Sequence, residues 1–172
     1  MFCGYPKIVN CNLETTDKMK EHHYTIKVTW MGNQGQGTSG YTTYSRDHIY
    51  RSPGKPDLFG SSDPSYRGDA SRYSPEDLLV CALSSCHMLW YLHFCSVNKI
   101  VVEKYEDNPT GIMVEEKDGN GKFKEVTLHP RVVISSGDFF KAEALHEEAH
   151  RFCFVANSVN FPINCEPEIV NA

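Results

Sequence analysis

Residues 74–95 open as Ser74-Pro75-Glu76-Asp77 and continue as LLVCALSSCHMLWYLHFC. The first four residues are a helix start. Serine accepts hydrogen bonds from the free N–H groups of a first turn, proline fits the first helical position, and acids suit the positive end of the helix dipole. The eighteen residues that follow are apolar on nearly every face. That length lies at the lower edge of a bilayer span. Ser84, Ser85, His87 and His93 stand inside the run and would be costly in lipid. A helix buried in a protein core, or between two subunits, fits better.

Working outward, 24–30 alternates in character and is rich in β-formers, so it reads as a strand. The segment 32–40, GNQGQGTSG, reads as a turn and 41–50 as the returning strand of an antiparallel hairpin. Proline, glycine and serine punctuate 52–74, which reads as a long loop. Beyond the helix, 100–105 and 111–116 read as strands, and Lys117-Asp118-Gly119-Asn120-Gly121 is a hairpin signal. A long strand is expected over 123–135. Asp138 then caps a second helix, FFKAEALHEEAHRFC, with apolar residues at 140, 144, 145, 149 and 152. A last short strand is expected at Ile169-Val170. Strands, helix, strands, helix, strand is an α+β order with mostly antiparallel sheets. The expected division is an N-terminal arm at 1–21, which is polar and without period, and a single domain at 22–172.

The chain has 172 residues, 40% hydrophobic and 23% charged, enough for one domain with a real core. Its net charge of −5 and the lack of a basic stripe argue against a nucleic-acid partner. No positive cap followed by an apolar run opens the sequence, so the expectation is a cytoplasmic protein with no membrane partner. Thiols are kept reduced there. Seven cysteines, at 3, 11, 81, 86, 95, 153 and 165, therefore point to catalytic, metal-binding or plainly buried residues rather than to a disulfide framework.

Three constellations carry chemistry. Cys86 and Cys153 each follow a helical apolar stretch. His146-Glu147-Glu148-Ala149-His150 matches the zinc-hydrolase pattern H-E-x-x-H on a helix, where residues four apart share a face. Its extended form fails, because Cys153 stands where a glycine belongs, and a solvated helix face is the stronger reading. The third is a folded-up metal site drawn from Cys86, His87, His93, Cys95, His150 and Cys153. No pair among them has the C-x-x-C spacing of common zinc sites.

SPEDLLVCALSSC and AHRFCFVANSV together resemble the OsmC/Ohr family, the osmotically inducible and organic-hydroperoxide-resistance proteins. The family's helix start carries a glutamate ten residues before a reactive cysteine, and Glu76 and Cys86 have that spacing. Its second cysteine follows an A-H-x-x-C stretch, matched by Ala149-His150-Arg151-Phe152-Cys153. The likeness runs from about residue 22 to the C-terminus. Cys153 is followed by Phe154-Val155-Ala156-Asn157-Ser158 rather than the family's simplest C-P-Y-S-N, and the 52–74 loop is longer than in the shortest members, which suggests an OsmC-like subgroup. The resemblance implies an OsmC-like fold, with antiparallel sheets packed around a central buried helix in an intertwined homodimer. It implies a peroxidase in which Cys86 becomes a sulfenic acid and then a disulfide with Cys153. The partners would be a hydroperoxide and an external dithiol or lipoyl-protein reductant, with no metal and no organic cofactor. An arginine assists the first cysteine in the family. Arg67 is the best match, with Arg46 and Arg72 as alternatives. A non-enzymatic redox-sensing or small-molecule-binding member of the family is the rival reading.

A thiol attacks peroxide only as thiolate, and an ordinary cysteine has a pKa of about 8.5. Ten residues of helix put Cys86 roughly 15 Å from the first turn, where the dipole no longer helps. A side-chain cation is required, and Glu76 cannot reach Cys86 along its own straight helix. If both serve one site, a second subunit supplies the contact. Leu83, Met88, Leu89, Trp90 and Phe152 are expected to give that site apolar surroundings suited to an organic peroxide.

Overall fold

The computed structural model describes residues 20–172. Most of the expected arm, together with Cys3 and Cys11, lies outside the described residues.

The central helix α1 spans Pro75–Val97. Ser74 caps it as expected. Its Oγ accepts from Asp77 N at 3.1 Å, while Asp77 Oδ2 accepts from Ser74 N at 2.9 Å, closing a reciprocal capping box. Before it lie β1 (Lys27–Trp30), β2 (His48–Arg51) and β3 (Leu58–Gly60), an antiparallel sheet in that order. The returning strand is therefore only the end of 41–50. Thr43 holds the preceding segment in a turn, its Oγ1 donating to Gly37 O at 3.2 Å and accepting from Gly40 N at 3.1 Å. The 52–74 loop contains β3 and a short 3₁₀ turn at Pro64–Tyr66.

After α1 come β4 (Val101–Asp107), β5 (Thr110–Glu115), β6 (Gly121–Leu128) and β7 (Pro130–Ser136). The expected long strand over 123–135 is thus two strands, which join different sheets. Pro130 has no N–H to continue a ladder, and His129 N is taken by Asp107 Oδ1 at 2.7 Å. Helix α2 spans Phe139–Phe152, capped by Asp138 Oδ1 on Lys141 N at 3.0 Å. The chain closes with β8 (Ile163–Cys165), absent from the sequence reading, and β9 (Glu168–Asn171). Two sheets form, β4-β7-β9 and β5-β6-β8. In each, the C-terminal strand pairs parallel and the others antiparallel.

Helix α1 links both sheets. Its N-terminal half places Leu83 against Val126 and Leu128 of β6. Its C-terminal half places Tyr91 and Cys95 among Val132 and Ile134 of β7, Leu145 and Ala149 of α2, and Ile169 of β9. The buried face of α2 is Ala142, Leu145, His146 and Ala149. This corrects the expected face: Ala144 is exposed and Phe140 is 81% exposed. The spacing three-four-seven is kept, shifted so that a histidine faces inward.

The single chain leaves much apolar surface uncovered. Val28, Trp30 and Phe59 of the first sheet, Ile112, Met113 and Val114 of β5, and Leu89 of α1 are all exposed. Only 22% of the most apolar stretch of α1 is buried, although its mean hydropathy of 1.5 and its 23 residues would suffice to cross a membrane.

Leu83→Ala should lower unfolding free energy by about 3 kcal/mol through lost burial and a cavity. Ser74→Ala should cost about 1 kcal/mol. Urea midpoints of the two variants check both values.

Candidate active site

Cys86 lies midway along α1 and is half-buried. Its neighbours Ser84 and Ser85 are satisfied locally: Ser84 Oγ donates to Asp107 Oδ2, and Ser85 Oγ to Ala82 O. Cys153 is the C-cap of α2 and is 1% exposed. Helices α1 and α2 pack through an aromatic cluster, with Trp90 and Phe94 each against Phe152 at ring separations of 5.2 and 5.3 Å. That packing sets the end of α2 beside the middle of α1, with Cys86 among the groups that act on the Cys153 thiol. The chain then folds back through a 3₁₀ turn at Ala156–Ser158, and Ala156 N donates to Cys153 Sγ at 3.4 Å. The five cysteines among the described residues are all free thiols.

The two thiols differ in setting. Burial, and then the Cys86 thiol beside it, push the Cys153 pKa up to about 11. At neutral pH Cys153 is a protonated, buried thiol, whereas Cys86 is half-buried. The pair is therefore asymmetric: a half-buried cysteine on α1 and a buried, protonated thiol at the end of α2.

Within one chain the remaining expected site residues stand elsewhere. Glu76 lines a cavity of about 890 Å³ with Arg72, Asp77, Cys81, Asp107 and Phe123. Arg72 bonds Asp69 at 3.2 Å and approaches Asp47 at 3.7 Å. Arg46 is stacked between Tyr41 and Tyr44, at 4.4 and 4.2 Å from the ring centres. Arg67 is exposed, with left-handed backbone (φ 67°), and stands 6.0 Å from the Tyr41 ring. Of the expected apolar surroundings, Leu83 belongs to the core, Trp90 and Phe152 pack on each other, and Leu89 is 64% exposed.

The histidine and cysteine sets also regroup. His93 is exposed and Cys95 is buried in the core. His146 does not pair with His150. It turns inward to His87, Nδ1 to Nε2 at 2.9 Å, with Cys165 Sγ at 3.8 Å from His87 Nε2 and 3.9 Å from His146 Nδ1. Tyr91 stacks on the His146 ring at 3.9 Å. Burial first, with His150 beside it, lowers the His87 pKa to about 4; burial and His87 lower that of His146 to about 3. Both rings are neutral at pH 7. Sequence reading placed neither His146 nor Cys165 in this group. The available signal was the spacing of His146 from Ala142, Leu145 and Ala149, which puts a histidine on the apolar face of α2.

Similarity to known proteins agrees with this architecture. A profile of the family described as OsmC-like protein matches residues 68–168. An OsmC-like protein of unknown function from Vibrio cholerae is 30% identical, with a TM-score of 0.77, over 86% of this chain and 99% of that one. An organic hydroperoxide resistance protein from Elizabethkingia anophelis, with thiocyanate bound, has the same fold at 20% identity and a TM-score of 0.62, over 89% of this chain and 100% of the other. An organic hydroperoxide resistance protein from Legionella pneumophila is 19% identical, also at 0.62, over 87% and 98% of the two chains. No curated protein matches the sequence.

Alkylation of Cys153 should stay slow through pH 9 and rise only toward pH 11, because its proton is held there. Replacing Cys86 with serine removes one of the causes and should move that rise to lower pH. Site-resolved mass spectrometry across a pH series reads both.

Proposed function

The chain belongs to the OsmC-like family, and on that premise we propose that it is a cytoplasmic, thiol-dependent peroxidase reducing organic hydroperoxides through Cys86 and Cys153. The observation that supports this reading is a half-buried cysteine midway along α1 and a buried thiol at the end of α2, the helix that packs against it.

The Cys86 thiolate attacks the distal oxygen of the hydroperoxide. The O–O bond breaks, the alkoxide takes a proton and leaves as the alcohol, and Cys86 is left as the sulfenic acid. Cys153 condenses with it, forming the S–S bond and releasing water. An external dithiol, free or carried as a lipoyl group, then reduces the disulfide by exchange and becomes a disulfide itself. Cys153 approaches from the protein interior and is present as thiol until that step. This supports giving it the resolving role and Cys86 the attacking one.

Activation of Cys86 needs a cation, and the proposed source is the partner in a homodimer. The exposed apolar surface on α1, β5 and the first sheet would be covered by a second copy. The same packing would carry Glu76 and its arginine to the other chain's Cys86. Arg67 is the proposed arginine by resemblance. Arg72 shares a cavity with Glu76 and is its rival, and Arg46 is the third candidate.

Hydroperoxide consumption with a dithiol present tests the reading. Wild type should turn over many equivalents, and Cys86→Ser should fall to the uncatalysed background. Cys153→Ser should consume one equivalent and stop at a sulfenic acid that dimedone traps. Stoichiometric oxidation by wild type, without turnover, would contradict it. Sedimentation should give a dimer. Leu89→Asp should shift it toward monomer and reduce turnover in parallel.

A further inference from the structure

His87, His146 and Cys165 come from α1, α2 and β8, three elements distant in sequence. Their donor atoms nonetheless converge, all within 4.8 Å of one another. His87 and His146 are 1% and 3% exposed. The peroxidase cycle uses none of the three.

The inner nitrogens of the two imidazoles share one hydrogen bond, and the third donor, Cys165 Sγ, stands close to both. One N–H can bridge His87 Nε2 and His146 Nδ1, but His87 Nδ1 and His146 Nε2 are buried without a partner among the described residues. These outer nitrogens face away from the cluster and would both carry N–H with an ion on the inner pair, so it is the convergence of the three inner donor atoms that points to an ion. Tyr91 stacking fixes the plane of His146. The two histidine rings lie within 9° of parallel.

The distances suit one ion. With Zn–N of about 2.05 Å and Zn–S of about 2.3 Å, a tetrahedral site separates nitrogens by about 3.3 Å and nitrogen from sulfur by about 3.6 Å. The separations here are 2.9, 3.8 and 3.9 Å. Shifts of a few tenths of an ångström, within side-chain freedom, close the difference. An access route is present. His146 and Cys165 line a cavity of about 560 Å³, and Glu143 and Glu147 stand exposed on its walls, where they attract cations.

We propose that His87 Nε2, His146 Nδ1 and Cys165 Sγ bind a single zinc-class divalent ion, with the fourth position facing this cavity. Two imidazoles and one thiolate form a borderline donor set that selects Zn²⁺ or Co²⁺ over Ca²⁺ and Mg²⁺. As the metal–sulfur bond forms, the Cys165 thiol proton passes to solvent. The imidazole N–H between the two rings is likewise given up by a tautomeric shift to the outer nitrogen of the same ring, so the ring stays neutral. The ion would staple β8 to both helices. His87 directly follows Cys86, so the site would also hold α1 beside the redox pair without touching the sulfurs.

Co²⁺ titration of the full-length, chelator-treated protein tests this. Wild type should take one equivalent per chain and develop a thiolate-to-cobalt charge-transfer band with the strong visible bands of a tetrahedral site. Zn²⁺ should displace it. Cys165→Ser should lose the charge-transfer band, whereas the Cys86→Ser/Cys153→Ser double variant should keep it. His146→Asn should weaken binding at least roughly 100-fold, since even outer-shell losses cost 10–100-fold. In wild type, independent of any variant's folding, Zn²⁺ should slow alkylation of Cys165 and leave that of Cys81 unchanged. No band, a band that survives Cys165→Ser, a band that vanishes with Cys86 and Cys153, or no protection of Cys165 would each overturn the proposal.

Discussion

A helix of 23 residues that is apolar on nearly every face has to be covered from all sides, and this chain covers α1 from one. The two sheets and α2 take its inner face, through Leu83, His87, Tyr91 and Cys95. Those residues recur at intervals of four, so the buried face is a continuous stripe. The rest of the chain follows from that stripe. The two sheets attach to its two halves, and α2 docks where the aromatic residues Trp90 and Phe94 receive Phe152. What the stripe leaves open is the surface assigned above to a second copy.

One helix thereby presents two groups of side chains on different faces. Cys86 and His87 are adjacent and point about 100° apart around the axis. The first lies toward the tip of α2, while the second meets the inward side of α2 about two turns earlier, at His146. Burial acts on both meetings, in opposite senses for acid and base. It keeps the proton on Cys153 and keeps protons off the two histidines. The result is a protonated thiol near a half-buried cysteine, and two hydrogen-bonded imidazoles near a third, half-buried sulfur.

Local chemistry was legible in the sequence, and convergence was not. The capping box at Ser74, the hairpin at 117–121 and the cap at Asp138 all act within a few residues, and all appear where the sequence places them. The α+β order and the OsmC-like fold follow from those elements and from the two cysteine motifs. Errors arise where a distant partner decides. The strand pattern over 123–135 is continuous in composition, but Asp107, on another strand, captures His129 N and the ladder changes sheet at Pro130. Phe140, Ala144, Leu145, Ala149 and Phe152 mark one apolar face of α2 in the sequence; Leu145 and Ala149 are buried as that face requires, yet His146, stacked on Tyr91 of α1, turns inward in place of Phe140 and Ala144. Cys165 was unreadable for the same reason. β8 is three residues long, and its place is set by pairing with β6.

The central claim is that Cys86 and Cys153 form one redox unit. Its most direct test is to count free thiols and map disulfides by mass spectrometry, before and after one equivalent of an organic hydroperoxide. The account predicts the loss of two thiols per chain and a single Cys86–Cys153 crosslink. If both cysteines stay reduced while Cys81 or Cys165 oxidises slowly, their contact is packing alone and the account is contradicted.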